Sequence, residues 1–333
     1  MSRDQKIKIA MVVCVVVLAC AVVITTTGMF NTSGIGGYAN ADQYTAGDTE
    51  LSGKVQNLDI NWTSGKVTVV YHEGNTVSLK ETANRSLSED EKLQWWLDGE
   101  TLRVQMMKPG THWNMPEKEL TVALPSGLEL KTAVISLTSG ELSAPDLKAE
   151  TLNLGTTSGN INVTASAKQL LATSTSGQIV LVQKGESDQI QCNSTSGGVR
   201  LTAEKAGRID LGSTSGPVFL QADRAGQLKA TSTSGGIDVT VASCDETSLS
   251  CTSGKIRASL SEMKKLEISS TSGDVTAFLP ETPGFTAKVE TASGSQSSGL
   301  ALTKDGNTYT CGDASGKVSI STTSGDVRIE PAK

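Results

Sequence analysis

The sequence predicts an all-β fold, a single-chain β-solenoid built from stacked two-strand coils. Three observations predict it. A Thr-Ser-Gly triplet recurs with a period near 19 residues, and its serines between Ser139 and Ser293 lie 19, 18, 20, 19, 19, 19, 19 and 21 residues apart. Apolar residues on either side of each triplet alternate with polar ones, the period of a half-buried strand rather than of a helix. Aromatic residues make up only 4% of the chain, which suits a narrow core filled by Val, Ile, Leu, Ala and Ser. A fixed period of this length marks repeats that bury their apolar faces against their neighbours.

One repeat shows the unit. In 226–241, Leu228, Ala230, Ser232 and Ser234 alternate with Gln227, Lys229, Thr231 and Thr233; after the corner, Ile237, Val239 and Val241 alternate with Asp238 and Thr240. The reading is strand, glycine corner, strand, and a looser second corner such as 222–226. Stacking places Ile209, Leu228, Thr247 and Leu266 in one inward column and Val199, Val218, Ile237 and Ile256 in another. The corner pairs are Ser139 and Gly140, Ser158 and Gly159, Ser176 and Gly177, Ser196 and Gly197, Ser215 and Gly216, Ser234 and Gly235, Ser253 and Gly254, Ser272 and Gly273, Ser293 and Gly294, and Ser324 and Gly325. Parity turns each motif serine inward, where it is expected to bond a backbone group of its own corner. Each motif glycine is expected to supply a positive φ. The roles assigned to these residues are structural.

The chain begins with Arg3, Lys6 and Lys8, followed by an apolar run extended over 9–30. That length suffices for a membrane-spanning helix, which needs roughly 20 residues. The positive-inside rule places the N-terminus in the cytoplasm and the rest outside. A retained signal anchor is the first expectation for 1–30. Val17-Leu18-Ala19-Cys20 also fits a lipidation site, and Ala39-Asn40-Ala41 fits a signal cleavage site. Residues 31–50 read as an extracytoplasmic tether. Residues 51–132 read as an irregular N-terminal cap that opens with a first coil, Leu58 to Val69. Trp62 occupies an inward position that is small elsewhere, as a ring at an open end of the core would. A tight hairpin is expected around Asp98-Gly99. Trp95, Trp96 and Trp113 form either cap packing or a candidate ligand platform.

Residues 133–330 are expected to supply about ten regular coils, roughly 45–50 Å of stack at the spacing of paired strands, with Asp326 to Ile329 closing it. The net charge of −6 gives no footprint for nucleic acid. Cys192, Cys244, Cys251 and Cys311 read as buried fillers; Cys14 and Cys20 lie in the leader. Only His72 and His112 exist, both outside the regular coils. No catalytic, metal or cofactor residues are expected.

With the leader, the Val122-Ala123-Leu124-Pro125 approach, the Ser-Gly coils and the closing Thr323-Ser324-Gly325-Asp326-Val327 in place, the chain resembles the bacterial putative-adhesin domain family over roughly 51–330. The resemblance implies an extracytoplasmic β-solenoid of unknown molecular function, in some relatives associated with cell-envelope stress. It brings no catalytic residues. The expected role is a membrane-anchored envelope protein that presents faces to a cell-wall component or another surface protein. A polysaccharide-acting β-helix is the alternative. An ice-binding solenoid is the other: Thr157, Thr175, Thr195, Thr214, Thr233, Thr252 and Thr271 stack outward, though in the rank two residues earlier only Thr173 and Thr231 are threonines.

Overall fold

The computed structural model describes residues 38–110, 115–305 and 308–332. The apolar run 9–30, Cys14, Cys20, His112 and Trp113 lie outside the described residues. Apart from a 3-10 turn at Ala41–Gln43, the described residues are strands and their connections. Among them, no helix is long and apolar enough to cross a membrane. The chain divides into two compact units, whose described parts are 38–184 and 185–332.

In the second unit the strands Val199–Ser213, Val218–Ser232, Ile237–Cys251 and Ile256–Ser270 pair in parallel, each with the next. The register is that of the sequence columns. Val199, Val218, Ile237 and Ile256 stand opposite one another, as do Leu211, Ala230, Leu249 and Ile268. All eight are buried. The first unit builds its regular part in the same way, from Glu141–Thr156 paired with Asn160–Ser174.

The second corner differs from its sequence reading. The ladder does not stop there: Val218–Ser232 is one strand of 15 residues. Pairing lapses at Asp223 and again at Gly226, and Ala225 between them stays buried. Two slight bends about one small inward residue turn the chain without ending the strand. The same inward place holds Ala206, Cys244 and Met263 in neighbouring coils.

The ends depart furthest from expectation. In the first unit, Asn57–Trp62 lies between Thr101–Gln105 and Leu130–Leu137, parallel to both. Lys66–His72 likewise lies between Lys118–Pro125 and the start of Glu141–Thr156. The first coil in sequence is therefore second in its stack. Trp62 is 2% exposed and faces Leu137, so it is an inner-layer ring and not the lid of an open end. Pairing already begins within 31–50, read as the tether: Thr45 and Ala46 pair antiparallel with Trp95 and Gln94, and Thr49 and Glu50, with Leu51 after them, pair antiparallel with 77–79. The hairpin Gln94–Asp98 and Thr101–Gln105 forms as expected, with Gly99 at φ +61° in its turn.

The C-terminal end of the second unit repeats this device. Gly316–Ser324 runs between Ile256–Ser270 and Gly284–Ser293, parallel to both. Val327–Pro331 runs between Val275–Leu279 and Gln296–Ser298. Residues 326–329 thus do not close the stack. The earlier segment 284–298 passes outside them, with the antiparallel strand Thr308–Gly312 beside it.

Candidate interaction face

The corners are held by residues other than the ones the repeat advertises. The motif serines Ser158, Ser176, Ser196, Ser215, Ser234, Ser253, Ser272, Ser293 and Ser324 are exposed, and Ser139 is half-buried. The buried hydroxyl belongs to the residue two positions earlier. Oγ of Ser174, Ser194, Ser213 and Ser232 accepts the N–H of Gly177, Gly197, Gly216 and Gly235 at 2.8, 2.9, 2.9 and 3.0 Å. Thr156 does the same for Gly159 at 2.7 Å, and the sulfur of Cys251 for Gly254 at 3.0 Å. The Ser213 hydroxyl also donates to the Gly197 carbonyl of the coil before it at 3.0 Å. The bonding to a corner's own backbone exists, but a bend interrupts the alternation before the motif serine. Ala172, Thr173 and Ser174 are buried in succession, which shifts the inward face by one residue before the motif serine.

The glycines are needed for space. Among the ten corner glycines only Gly140 and Gly325 have positive φ; Gly65 of the first coil does as well. A Cβ on Gly216 would instead land on the Gly197 carbonyl, and one on Gly235 on that of Gly216. Stacked corners approach backbone to backbone, and only hydrogen fits between them.

The aromatic candidates do not share a face. Trp95 and Trp96 are neighbours on one strand and so point to opposite sides. Trp96 meets the Tyr44 ring edge-on at 5.7 Å, and Tyr44 in turn lies 4.7 Å from Tyr38. Trp113 lies outside the described residues. The rank Thr173, Asn193 and Thr231 is buried, so it is not available as a second surface row of threonines.

Sequence reasoning missed Lys118. Its side chain is fully buried, ion-paired to Glu81 at 2.6 Å, and it donates to the Glu91 and Met106 carbonyls at 2.6 and 2.5 Å. Its ammonium lies 5.2 Å from the Trp62 ring centre. Burial pulls its pKa below the usual lysine range, against the pull of Glu81. With these acceptors the group ties the cap together and faces no ligand. Nothing in the local sequence signals it, because the partners come from three distant segments.

The described surface holds a sizeable hollow in the second unit. It follows the outward residues just past the corners and has a volume of about 460 Å³. Pro217 and Gly236 leave a gap where the next coils carry Lys255, Asp274 and Asp326. The next outward column runs Phe219, Asp238, Arg257, Thr276 and Arg328, one residue per coil. Lys255 pairs with Asp274 at 3.4 Å. Asp326 accepts from the Ser295 N–H and hydroxyl at 2.9 and 2.8 Å, which hold its carboxyl below the usual range. Arg257 lies 4.5 Å from the Phe278 ring centre and Arg200 4.4 Å from that of Phe219. Among the described residues no group of three His, Cys, Asp or Glu is placed to hold a metal ion.

One family model, Toastrack DUF4097, matches residues 55–183 and 164–330. The chain belongs to the Toastrack family. The two matches together span both units of this Toastrack chain. Two solved structures are similar to it. One is a putative cell adhesion protein from Clostridium sporogenes, 11% identical, covering 86% of this chain and 100% of that one at a TM-score of 0.21. The other is a putative adhesin from Bacteroides fragilis, 15% identical, covering 85% and 95% at a TM-score of 0.34. Likenesses of that size do not bear on mechanism. No curated protein matches the chain.

Proposed function

We propose that this Toastrack protein is a membrane-anchored, extracytoplasmic recognition domain that works by binding, with the hollow beside Phe219 and Arg257 as its contact face. The observation that carries this reading is the division of labour within each coil. Inward residues and corner hydroxyls are committed to core and backbone, while one outward column collects an aromatic ring, an acid and two arginines around a 460 Å³ hollow. The apolar run 9–30 after Arg3, Lys6 and Lys8 supports the anchor and the outside placement.

Binding is favoured over catalysis by the state of the described polar groups. Nε2 of His72 meets the Thr76 carbonyl at 2.7 Å and Nδ1 accepts from the Gly74 N–H at 3.1 Å, so this imidazole is engaged in its own turn. No histidine stands in the regular coils to serve the exposed motif serines as a base. A nucleophilic serine needs such a base within hydrogen-bond reach. The test is capture of partners from intact envelope by residues 31–333, with incubation on cell-wall and capsular glycans alongside. Selective retention of an envelope component without product release supports the reading. Release of cleaved glycan overturns it.

A further inference from the structure

The groups around the hollow define a ligand chemistry, and this step rests on the binding role proposed above. The charges balance: Lys255, Arg257 and Arg328 against Asp238, Asp274 and Asp326. Lys255 and Asp274 are paired, and Asp326 is engaged by Ser295. A polyanion or a polycation would therefore meet as much like charge as opposite charge, and like charges brought together inside a cleft oppose binding.

The outward column is instead an alternation of acceptor and donor. Asp238 offers carboxylate oxygens, Arg257 guanidinium N–H groups, Thr276 a hydroxyl, and Arg328 a second guanidinium. Neighbouring members are separated by one coil, roughly 4.8 Å. Stacking on Phe278 holds the Arg257 plane in place. At one end, the half-buried Phe219 ring lies beside Asp238 in the adjacent coil and presents apolar surface. Arg200 occupies the side away from Asp238. The glycine at 236 lets a ligand approach the main chain at that point; a Cβ there would come within 3.2 Å of the Lys255 carbonyl.

A ligand suited to this arrangement is uncharged, carries hydroxyls that both donate and accept, and has an apolar face for a ring. We propose that the hollow binds a neutral sugar chain, with Phe219 under a pyranose face, and with Asp238 and Arg257 on adjacent hydroxyls.

The full-length protein in detergent is titrated with neutral oligomers of glucose, mannose and N-acetylglucosamine, and separately with a uronic-acid polymer, by calorimetry and by ligand-observed NMR. The expected result is binding of at least one neutral oligomer, weakened at least tenfold in Phe219→Ala and in Asp238→Ala, and unchanged in Asn162→Ala on the equivalent column of the first unit. Both variants alter outward side chains, and unchanged thermal melting shows that they fold. Equal binding by wild type and both variants overturns the proposal, as does preference for the uronic-acid polymer or no binding of any neutral oligomer at millimolar concentration. Envelope capture separates the two levels. If wild type and Phe219→Ala are retained equally, the sugar site falls and the recognition role stands; if wild type is not retained, the role itself falls.

Discussion

Glycines answer two different constraints, space and a positive φ, and each has its own experiment. Gly216→Ala is expected to destabilise by about 1–3 kcal/mol, because the methyl would overlap the Gly197 carbonyl and the stacked coils must separate to admit it. Gly99→Ala, at φ +61° with open space around it, should cost about 1–2 kcal/mol through left-handed strain alone. Thermal unfolding of both checks this, and a neutral Gly216→Ala would show that the corner stack yields. Ser232→Ala removes the acceptor for the Gly235 N–H and should cost about 1–3 kcal/mol. Ser232→Cys should cost less, since Cys251 already fills that place one coil on, with its sulfur 3.0 Å from the Gly254 nitrogen. Equal losses for the two would mean that size, not hydrogen bonding, decides the position. The contrast also shows what the sequence could reveal. The columns around Val218 and Leu228 were legible because burial follows a period of two. The inward hydroxyl was misplaced by two residues because a bend consumes one step of that alternation.

At the scale of strands and caps, charge and connectivity take over. Lys118→Met should destabilise the N-terminal cap by about 3–5 kcal/mol, because Glu81 would be left buried without its partner. Adding Glu81→Leu should recover much of that loss. Chemical unfolding followed by Trp fluorescence reports it through Trp62, and a double variant no better than the single would argue against the pair. The Ser295–Asp326 contact joins the inserted C-terminal coil to the segment outside it. Its carboxyl is held below the usual range, so its stabilisation is fully present above about pH 4 and is lost as pH falls through the depressed value. Protection factors at 295–298, corrected for the intrinsic exchange rate at each pH, should therefore fall on acidification, and Asp326→Asn should remove that dependence. No local pattern announced either end. Strand 57–62 and strand 316–324 look like first and last coils by period, and their place one layer in is decided by which distant segment covers them.

Across the whole chain, the cysteines set a chemical limit. Burial pushes the thiols of Cys192, Cys244 and Cys251 up. Folded-state values above the unfolded ones give stability that is complete below about pH 8.5 and declines as pH rises past it. The urea midpoint should fall between pH 8 and 10, and Cys192→Ala should flatten that fall; an unchanged slope would show that the thiol does not contribute. Protease added to intact spheroplasts should digest the coils and leave a membrane-held stub ending near residue 30, whereas a domain protected until lysis would place it inside. The inserted last coil has a further consequence, for biogenesis. During synthesis residues 284–298 emerge before 316–331, yet in the finished molecule the later segment separates them from strand 256–270. Until 316–331 has been made, strand 256–270 has the wrong neighbour within reach. The layer can therefore form only once 316–331 has emerged, and any earlier docking of 284–298 on strand 256–270 has to be undone first.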